Sequence, residues 1–241
     1  MKKIAFIVLA SCLLTGCHII NHKGEVKYNY EHPELYQVGD ATLEQPVSEI
    51  DVTWLGGNVN IVYADIPGVC IREEVPHALD DTARMRYYVD DDGCLNIQFC
   101  ESGKDYNLRK LESLEGIEKD LTIEVPRGTV LDEIDMDMVS THVRIDSVTS
   151  RELTVDGVFF EVFAQYPTLP EEISVEGASG SLTMMAPAEA GMTIEMEGIK
   201  KYLNITSERP TRKEGRKTIL GDGRCKIDVD GVSLTLNINE L

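Results

Sequence analysis

The chain has 241 residues, with 42 acidic against 23 basic side chains and a formal net charge of −19. This length is enough for one sizeable domain or two small ones. An excess of acids keeps a protein soluble and repels phosphate backbones, because nucleic-acid binding requires clustered cations. The composition therefore argues against nucleic acid as a partner.

The first 16 residues have the pattern of a bacterial signal peptide. Lys2 and Lys3 form a cationic start, an apolar run follows over 4–14, and residues 14–17 read Leu-Thr-Gly-Cys. These four residues resemble a lipobox, in which the cysteine, here Cys17, receives a fatty acyl group such as palmitate on its sulfur and becomes the new N-terminus. Loss of residues 1–16 removes two cations and no acid, which changes the net charge from −19 to −21.

We therefore predict an exported lipoprotein that is anchored through Cys17 to the bacterial cell membrane or outer membrane, facing the cell surface or the periplasm. An ordinary cleaved signal with an incidental cysteine is the alternative. Residues 17–46 are polar and lack sustained periodicity, which is typical of a tether. Its tyrosines, Tyr28, Tyr30 and Tyr36, suggest that the later half docks on the domain.

From Val47 to residue 126 the sequence predicts a meander of short strands. Apolar and polar residues alternate over 50–54 and 59–63, on either side of a Gly-Gly turn. The sequence Asp-Asp-Asp-Gly at 90–93 predicts a hairpin turn. Leucine and isoleucine recur every three residues within 107–120, which suits a short helix or a loop over one end of the sheet.

Residues 132–241 contain five similar segments, which can be set in register at Ile134, Leu153, Ile173, Ile194 and Ile227. Their spacing is about 20 residues, except for a longer last interval that contains an insertion. A unit of two short strands around a glycine turn cannot bury its apolar side alone, whereas stacked units share a core. Tight turns or close backbone approach are expected at four glycines of these segments, Gly157, Gly177, Gly198 and Gly231.

We therefore predict an all-β fold for one domain over 47–241, with regular repeats over 132–241. Short strands would stack in units of about 20 residues in a β-solenoid-like arrangement, with a β-sandwich-like arrangement as the alternative.

Four stretches resemble the bacterial "putative adhesin" family of β-strand-repeat proteins, many of them lipoproteins. In chain order these are IDVTWLGGNVNIVYAD, DLTIEVPRGTVLDEIDM, GASGSLTM and GDGRCKIDVDGVSLTLNI. The resemblance spans residues 47–241. It implies an all-β stack of short strands on the cell surface, and it carries no catalytic residues or cofactor.

The histidines do not indicate an enzyme. They are His18, His22, His32, His77 and His142. The first three lie in the tether, and none stands in a Ser/His/Asp or Cys/His context, while phosphate-binding, dinucleotide-binding and metalloprotease motifs are absent from the sequence. We predict a protein that is not an enzyme and has no cofactor.

Six carboxylates occupy the polar phase of the predicted strands: Asp51, Asp135, Asp156, Glu176, Glu195 and Asp228. We expect them to be solvated and to discourage edge pairing, with weak calcium binding as the alternative. The calcium-loop lookalike at 226–237 has Lys226 at its first position and Asn237 at its last, so no metal site is predicted.

The mature chain has four cysteines besides Cys17: Cys70, Cys94, Cys100 and Cys225. We predict free thiols, because Cys94 and Cys100 lie about 20 Å apart on an extended strand. Cys225 is in the inward phase and Cys70 in the outward phase. A bridge from Cys70 to Cys94 or Cys100 remains the alternative.

The insertion at 207–226 is the one basic concentration in the sequence. Contact with an anionic envelope component, either lipid headgroups or an acidic polymer, is expected from Arg209, Arg212, Lys213, Arg216 and Lys217. The alternative is a solvated loop that balances local charge.

Two functions fit these features. The first is a surface adhesion or structural module that binds an envelope polymer or a surface protein, and the second is a ligand-sensing or accessory lipoprotein of an envelope-stress or transport system. A binding module should expose aromatic side chains such as Phe160 or Tyr166, whereas a sensor should have an enclosed pocket.

Overall fold

The computed structural model describes residues 19–20, 25–76, 78–107 and 118–241. Cys17, His18, His22, His77 and the leucine-rich stretch 108–117 lie outside the described residues. The described part contains one short 3-10 helix, Pro33–Leu35, and eighteen strands. The predicted all-β fold is confirmed.

The strands lie in a three-stranded sheet, β1-β2-β10, and a mixed sheet of fifteen strands that does not close. In chain order they are β1 Ile19–Ile20, β2 Glu25–Tyr28, β3 Gln37–Val38, β4 Ala41–Thr42, β5 Glu49–Trp54, β6 Gly57–Ala64, β7 Cys70–Glu74, β8 Arg86–Val89, β9 Cys94–Gln98, β10 Lys104–Asn107, β11 Lys119–Pro126, β12 Val130–Asp146, β13 Thr149–Gln165, β14 Glu172–Ala186, β15 Met192–Thr206, β16 Thr211–Glu214, β17 Lys217–Leu220 and β18 Cys225–Glu240.

The long strands β12 to β15 and β18 are parallel neighbours, and their register agrees with the alignment of the five sequence segments. Leu153 pairs with both Ile134 and Ile173, and Ile227 pairs with both Ile173 and Ile194. The order in the sheet, however, is β12-β13-β14-β18-β15. The fifth segment therefore lies between the third and the fourth.

Each long strand bends once, so that it contributes to two faces. The first half of β12 pairs with β5 and its second half with β6. Inward side chains alternate up to Met138, and the alternation resumes with the opposite parity from Thr141. Because the inward side chains of both halves belong to one core cluster, the outward side chains of the two halves lie on different sides of that core.

The bends are lined by the predicted glycines, which pair in the order Gly157, Gly177, Gly231, Gly198. A Cβ at Gly177 would lie 2.4 Å from the carbonyl oxygen of Gly157, and Gly198 has a φ of +120°. Both the close approach and the positive φ exclude a larger side chain without distortion. The structural interpretation of these glycines is confirmed.

The segment before Val47 contacts the sheet through its tyrosines. Tyr28 is buried and its hydroxyl donates to Gln98 at 2.6 Å. The ring of Tyr36 lies 4.6 Å from that of Tyr30 and 5.7 Å from that of Tyr88. The predicted docking of the tyrosines is therefore seen in the described residues.

The turn at 90–93 and the cysteines mostly follow the predictions. Gly93 has a φ of +88° between β8 and β9, as a hairpin turn requires. All four described cysteines are free, and Cys225 is buried as expected. Cys70 lies on the same side of β7 as the exposed Arg72, in the predicted outward phase, but it is buried beside β4, where its sulfur lies 3.5 Å from the Thr42 hydroxyl.

Candidate interaction face

The outward side chains of the first halves form an acidic face. It includes Asp51, Asp135, Asp137, Asp156, Glu176, Asp228, Asp230, Glu195 and Glu197. Neighbouring strands place these carboxylates beside one another in rows. In the described residues, no group of three or more potential ligands is arranged to hold a metal ion.

Several of these carboxyls are less solvated than predicted. Burial, followed by the charges of Asp135 and Glu133, raises the pKa of Asp51 to about 7. Burial and neighbouring carboxylates likewise raise the pKa of Asp137 to about 7. The pKa values of Asp135 and Asp156 rise to about 6 for the same reasons. The acidic face therefore takes up protons just below neutral pH.

The outward side chains of the second halves form a different surface, which we call the polar face. Its first row consists of Ser140, Phe159, Ser179, Ser233 and Lys200, and its second row of His142, Glu161, Ser181, Thr235 and Tyr202. These two rows border an open groove of about 380 Å³ at the bend. Hydroxyl groups and aromatic rings predominate over charges here.

Phe159 is the most prominent apolar side chain of the groove, with 50% of its surface exposed. The cause lies in the bend, where a Cβ added at Gly180 would lie 2.6 Å from the ring of Phe160 and one at Gly157 would lie 2.7 Å from it. Phe160 occupies the space that the glycines leave and is buried. Its neighbour Phe159 must then point outward.

Phe160 and Tyr166 were expected on the outward face, and both expectations are wrong. Phe160 fills the glycine bend, and Tyr166 is completely buried in the core, where burial raises its pKa. The adjacent phenylalanines indicate that one of the two rings points away from the core. Period-two alternation does not predict which one, because the bend changes which positions face inward.

A third row of the polar face is held by its own hydrogen bonds. The Asn204 amide donates to Asn237 at 2.8 Å, and the Asn237 amide donates to the Thr183 hydroxyl at 3.1 Å. Farther along, the Arg144 guanidinium lies 5.1 Å from the centre of the Phe163 ring. These contacts give the face a fixed, regular surface.

The basic insertion forms a hairpin, β16-β17, at the end of the sheet. β17 pairs with the first half of β15, so the hairpin covers that edge. Arg216 lies 2.7 Å from Glu197 and Lys217 lies 3.6 Å from Glu195, both on the acidic face. Arg209 pairs with Glu240 and Arg212 with Glu214, each at 3.0 Å. These ion pairs compensate part of the positive charge of the insertion. Lys213 takes part in none of these four pairs.

The second half of β15 is a free edge, because no strand pairs with its outer side beyond Ile194 in the described residues. Ile199 is 64% exposed and Tyr202 is 56% exposed. Lys200 and Lys201 lie between them, and charged side chains of this kind oppose pairing with another strand.

A second depression, of about 330 Å³, lies among the turns at the ends of the long strands. Its lining includes Pro167, Pro170, Pro187, Glu189 and Arg224. Like the groove at the bend, it opens to solvent. Neither has the enclosed form that a small-molecule sensor requires.

Comparison with known proteins supports the fold. No protein-family model matches the sequence, and no curated protein matches it. A "putative cell adhesion protein" from Clostridium sporogenes superimposes with a TM-score of 0.66 at 16% identity, covering 86% of this chain and all of the other. A "putative adhesin" from Bacteroides fragilis gives a TM-score of 0.35 at 11% identity, covering 86% of this chain and 97% of the other. The Clostridium sporogenes likeness shows a shared all-β fold.

No helix in the described part of the chain has the length and apolar character needed to cross a membrane.

Proposed function

We propose that the protein is a lipid-anchored surface module that adheres to another envelope or surface component through its polar face. The half-exposed Phe159, set in a groove of hydroxyl groups, carries this proposal. A large exposed aromatic ring stabilises a complex when a partner covers it, because its apolar surface is then removed from water. The fold shared with a "putative cell adhesion protein" from Clostridium sporogenes supports the same proposal.

The anchor in this proposal is an acyl group on Cys17, supported by the lipobox sequence. Residues 18–46 would then connect the anchor to the domain, with the tyrosines packed against it. The β-solenoid-like stack would present its faces and loops from the cell surface. No catalytic role is proposed, since among the described residues no groove hydroxyl is hydrogen-bonded to His142.

The sensing function is the weaker candidate. A sensor would enclose its ligand, whereas both depressions described above open to solvent. The exposed aromatic side chains Phe159 and Tyr202 instead satisfy the criterion for a binding face.

Adhesion can be tested with the Cys17→Ser protein coupled to fluorescent beads. We expect such beads to be retained on bacterial cells or on extracellular matrix, and the Phe159→Ser variant to lose most of this retention. Val130→Ser is the matched control, since Val130 is 57% exposed and lies outside the groove. Equal retention of the two variants would refute the polar face as the adhesive surface, and no retention of any bead would refute adhesion itself.

A further inference from the structure

We infer that the groove at the bend binds a neutral glycan. This inference rests on the proposed adhesive function and specifies its partner. It follows from three properties of the two rows: unused hydroxyl groups, an exposed aromatic ring, and little net charge, since Lys200 and Glu161 have opposite signs.

The hydroxyl groups of the groove are available to a ligand. Five of them, those of Ser140, Ser179, Ser181, Ser233 and Thr235, make no side-chain hydrogen bond to another residue that the structure describes. The next row is different, since Thr183, Asn237 and Asn204 are bonded to one another. Each of these groove hydroxyls can donate one hydrogen bond and accept two, so the groove offers a ligand both donors and acceptors within a small area.

The ring of Phe159 supplies the apolar part of the site. It lies in the same row as Ser140 and Ser179, so one ligand can contact the ring and the hydroxyls together. A pyranose ring has C–H groups on one face and hydroxyl groups around its edge. Stacking that face on an aromatic ring removes apolar surface from water, while the edge hydroxyls exchange hydrogen bonds with the row of serines.

The charges around the groove favour a neutral ligand over an ionic one. His142 and Glu161 lie 3.6 Å apart, and Lys200 pairs with Ser233 at the edge of the first row, so the charges do not form a patch of one sign. An acidic glycan would meet Glu161 and the net charge of −19. An extended polypeptide would instead need an open strand edge, and the groove lies on the face of paired strands.

The site also has the shape for a chain of sugars. Ser179, Ser181, Ser233 and Thr235 repeat on neighbouring parallel strands, about 4.8 Å apart. In the same rows, β13 contributes Phe159 and Glu161, and β15 contributes Lys200 and Tyr202. The groups that could contact a ligand therefore extend over several strands, which favours a polymer over a single sugar, because several weak contacts then act together.

The experiment is affinity electrophoresis of the Cys17→Ser protein in native gels that contain a glucan, a mannan, a galactan or, as an acidic comparison, polygalacturonate. We expect at least one neutral polysaccharide to retard the protein, Phe159→Ala to weaken retardation by about fivefold or more, and Val130→Ala to leave it unchanged. Retardation by polygalacturonate alone, or retardation that Phe159→Ala does not alter, would overturn the inference.

Bead retention separates this inference from the proposed function. Periodate oxidises the vicinal diols of surface glycans, whereas protease removes surface proteins. We expect periodate treatment of the cells to abolish retention and protease treatment to preserve it. If protease abolishes Phe159-dependent retention and periodate does not, the partner is a protein, so adhesion stands and the glycan inference fails.

Discussion

Lys119 and Glu73 form an ion pair that is shielded from solvent. Lys119 Nζ lies 2.7 Å from Glu73 Oε1, and the two side chains are 2% and 1% exposed. The ammonium group also donates to the carbonyl oxygens of Ala83 and Phe99 and lies 4.1 Å from the centre of the Phe99 ring. Burial lowers the pKa of Lys119, and Glu73 opposes this effect. The pair joins β7 to β11 beside the Trp54 and Phe99 rings.

Removing one charge of this pair should destabilise the protein more than removing both. Lys119→Met leaves the buried Glu73 carboxylate with Arg84, at 3.4 Å, and the Met85 amide as its remaining partners, which should cost about 3 kcal/mol. The double variant with Glu73→Gln no longer buries a carboxylate that has lost its closest cation, so it should recover part of that loss. Urea unfolding at pH 7 measures both, and a double variant at least as unstable as the single one would contradict this account.

The glycine bend should not tolerate a side chain. A Cβ at Gly177 meets the Gly157 carbonyl oxygen at 2.4 Å and the Phe160 ring at 2.8 Å, so Gly177→Val should cost about 2–4 kcal/mol. Gly128→Asn is the control, because nothing lies within 4 Å of its Cβ position and asparagine tolerates its φ of +89°. Thermal melting checks both, and a neutral Gly177→Val would mean that the bend is not close-packed.

The acidic face should make stability depend on pH. The folded-state pKa of Asp137, about 7, is above the value near 4 expected for the unfolded chain. Between these values the folded state keeps a proton that the unfolded state has lost, so this contribution to stability falls as pH rises through the window. The melting temperature should therefore increase as pH is lowered from 8 to 5.

Asp137→Asn should increase the free energy of unfolding at pH 8 by an amount on the order of 1 kcal/mol, and the melting temperature should rise with it. The dependence of the melting temperature on pH should become flatter. Asp228→Asn, at an exposed position of the same face, is the control and should change the profile less. A profile that Asp137→Asn leaves unchanged would show that this carboxyl is already solvated.

Acylation at Cys17 should determine where the protein partitions. Cys17→Ser removes the sulfur that would carry the lipid, so the protein should move from the membrane fraction to the soluble or secreted fraction. Fractionation followed by immunoblotting measures this, with Cys94→Ser as a control. Unchanged partitioning would rule out Cys17 as the anchor.

The hairpin cations should contribute to binding at an anionic surface if the basic insertion contacts the envelope. Arg212→Gln with Lys213→Gln removes two charges and leaves the Arg216–Glu197 and Lys217–Glu195 pairs intact. Binding of the Cys17→Ser protein to anionic vesicles at low salt should weaken, by about 1 kcal/mol at most per cation. Arg144→Gln, on the polar face, is the control, and equal binding of all these proteins would assign the hairpin to local charge compensation alone.

Much of the sheet could be predicted, because alternation and the glycine bends are local properties. Ile134, Leu153, Ile173 and Ile227 align in the sequence as they pair in space. The order of the strands could not be predicted. Units with the same pattern can pair with one another in any order, and the sequence of a strand does not indicate which unit lies beside it. The insertion allows β18 to reach past β15.

The candidate site was harder to predict for a related reason. Whether Phe159 or Phe160 is exposed depends on a parity change at the bend, which arises from the packing of Phe160 against Gly157, Gly177 and Gly180 on other strands. The burial of Asp51 and Asp137 is also a tertiary effect. Sequence patterns identify the polar phase of a strand, but not what covers it.

The position of β18 between β14 and β15 constrains how the chain can fold during synthesis. Stacked units commonly fold by adding each new unit to the one before it. Here β15 leaves the ribosome ahead of β18, its one long neighbour among the described strands, since residues 192–206 precede 225–240. Until β18 is synthesised, the inward side chains of β14 and β15, such as Val175 and Met196, lack their partner strand. The last two units must therefore assemble together, after the final strand of the nascent chain has been synthesised.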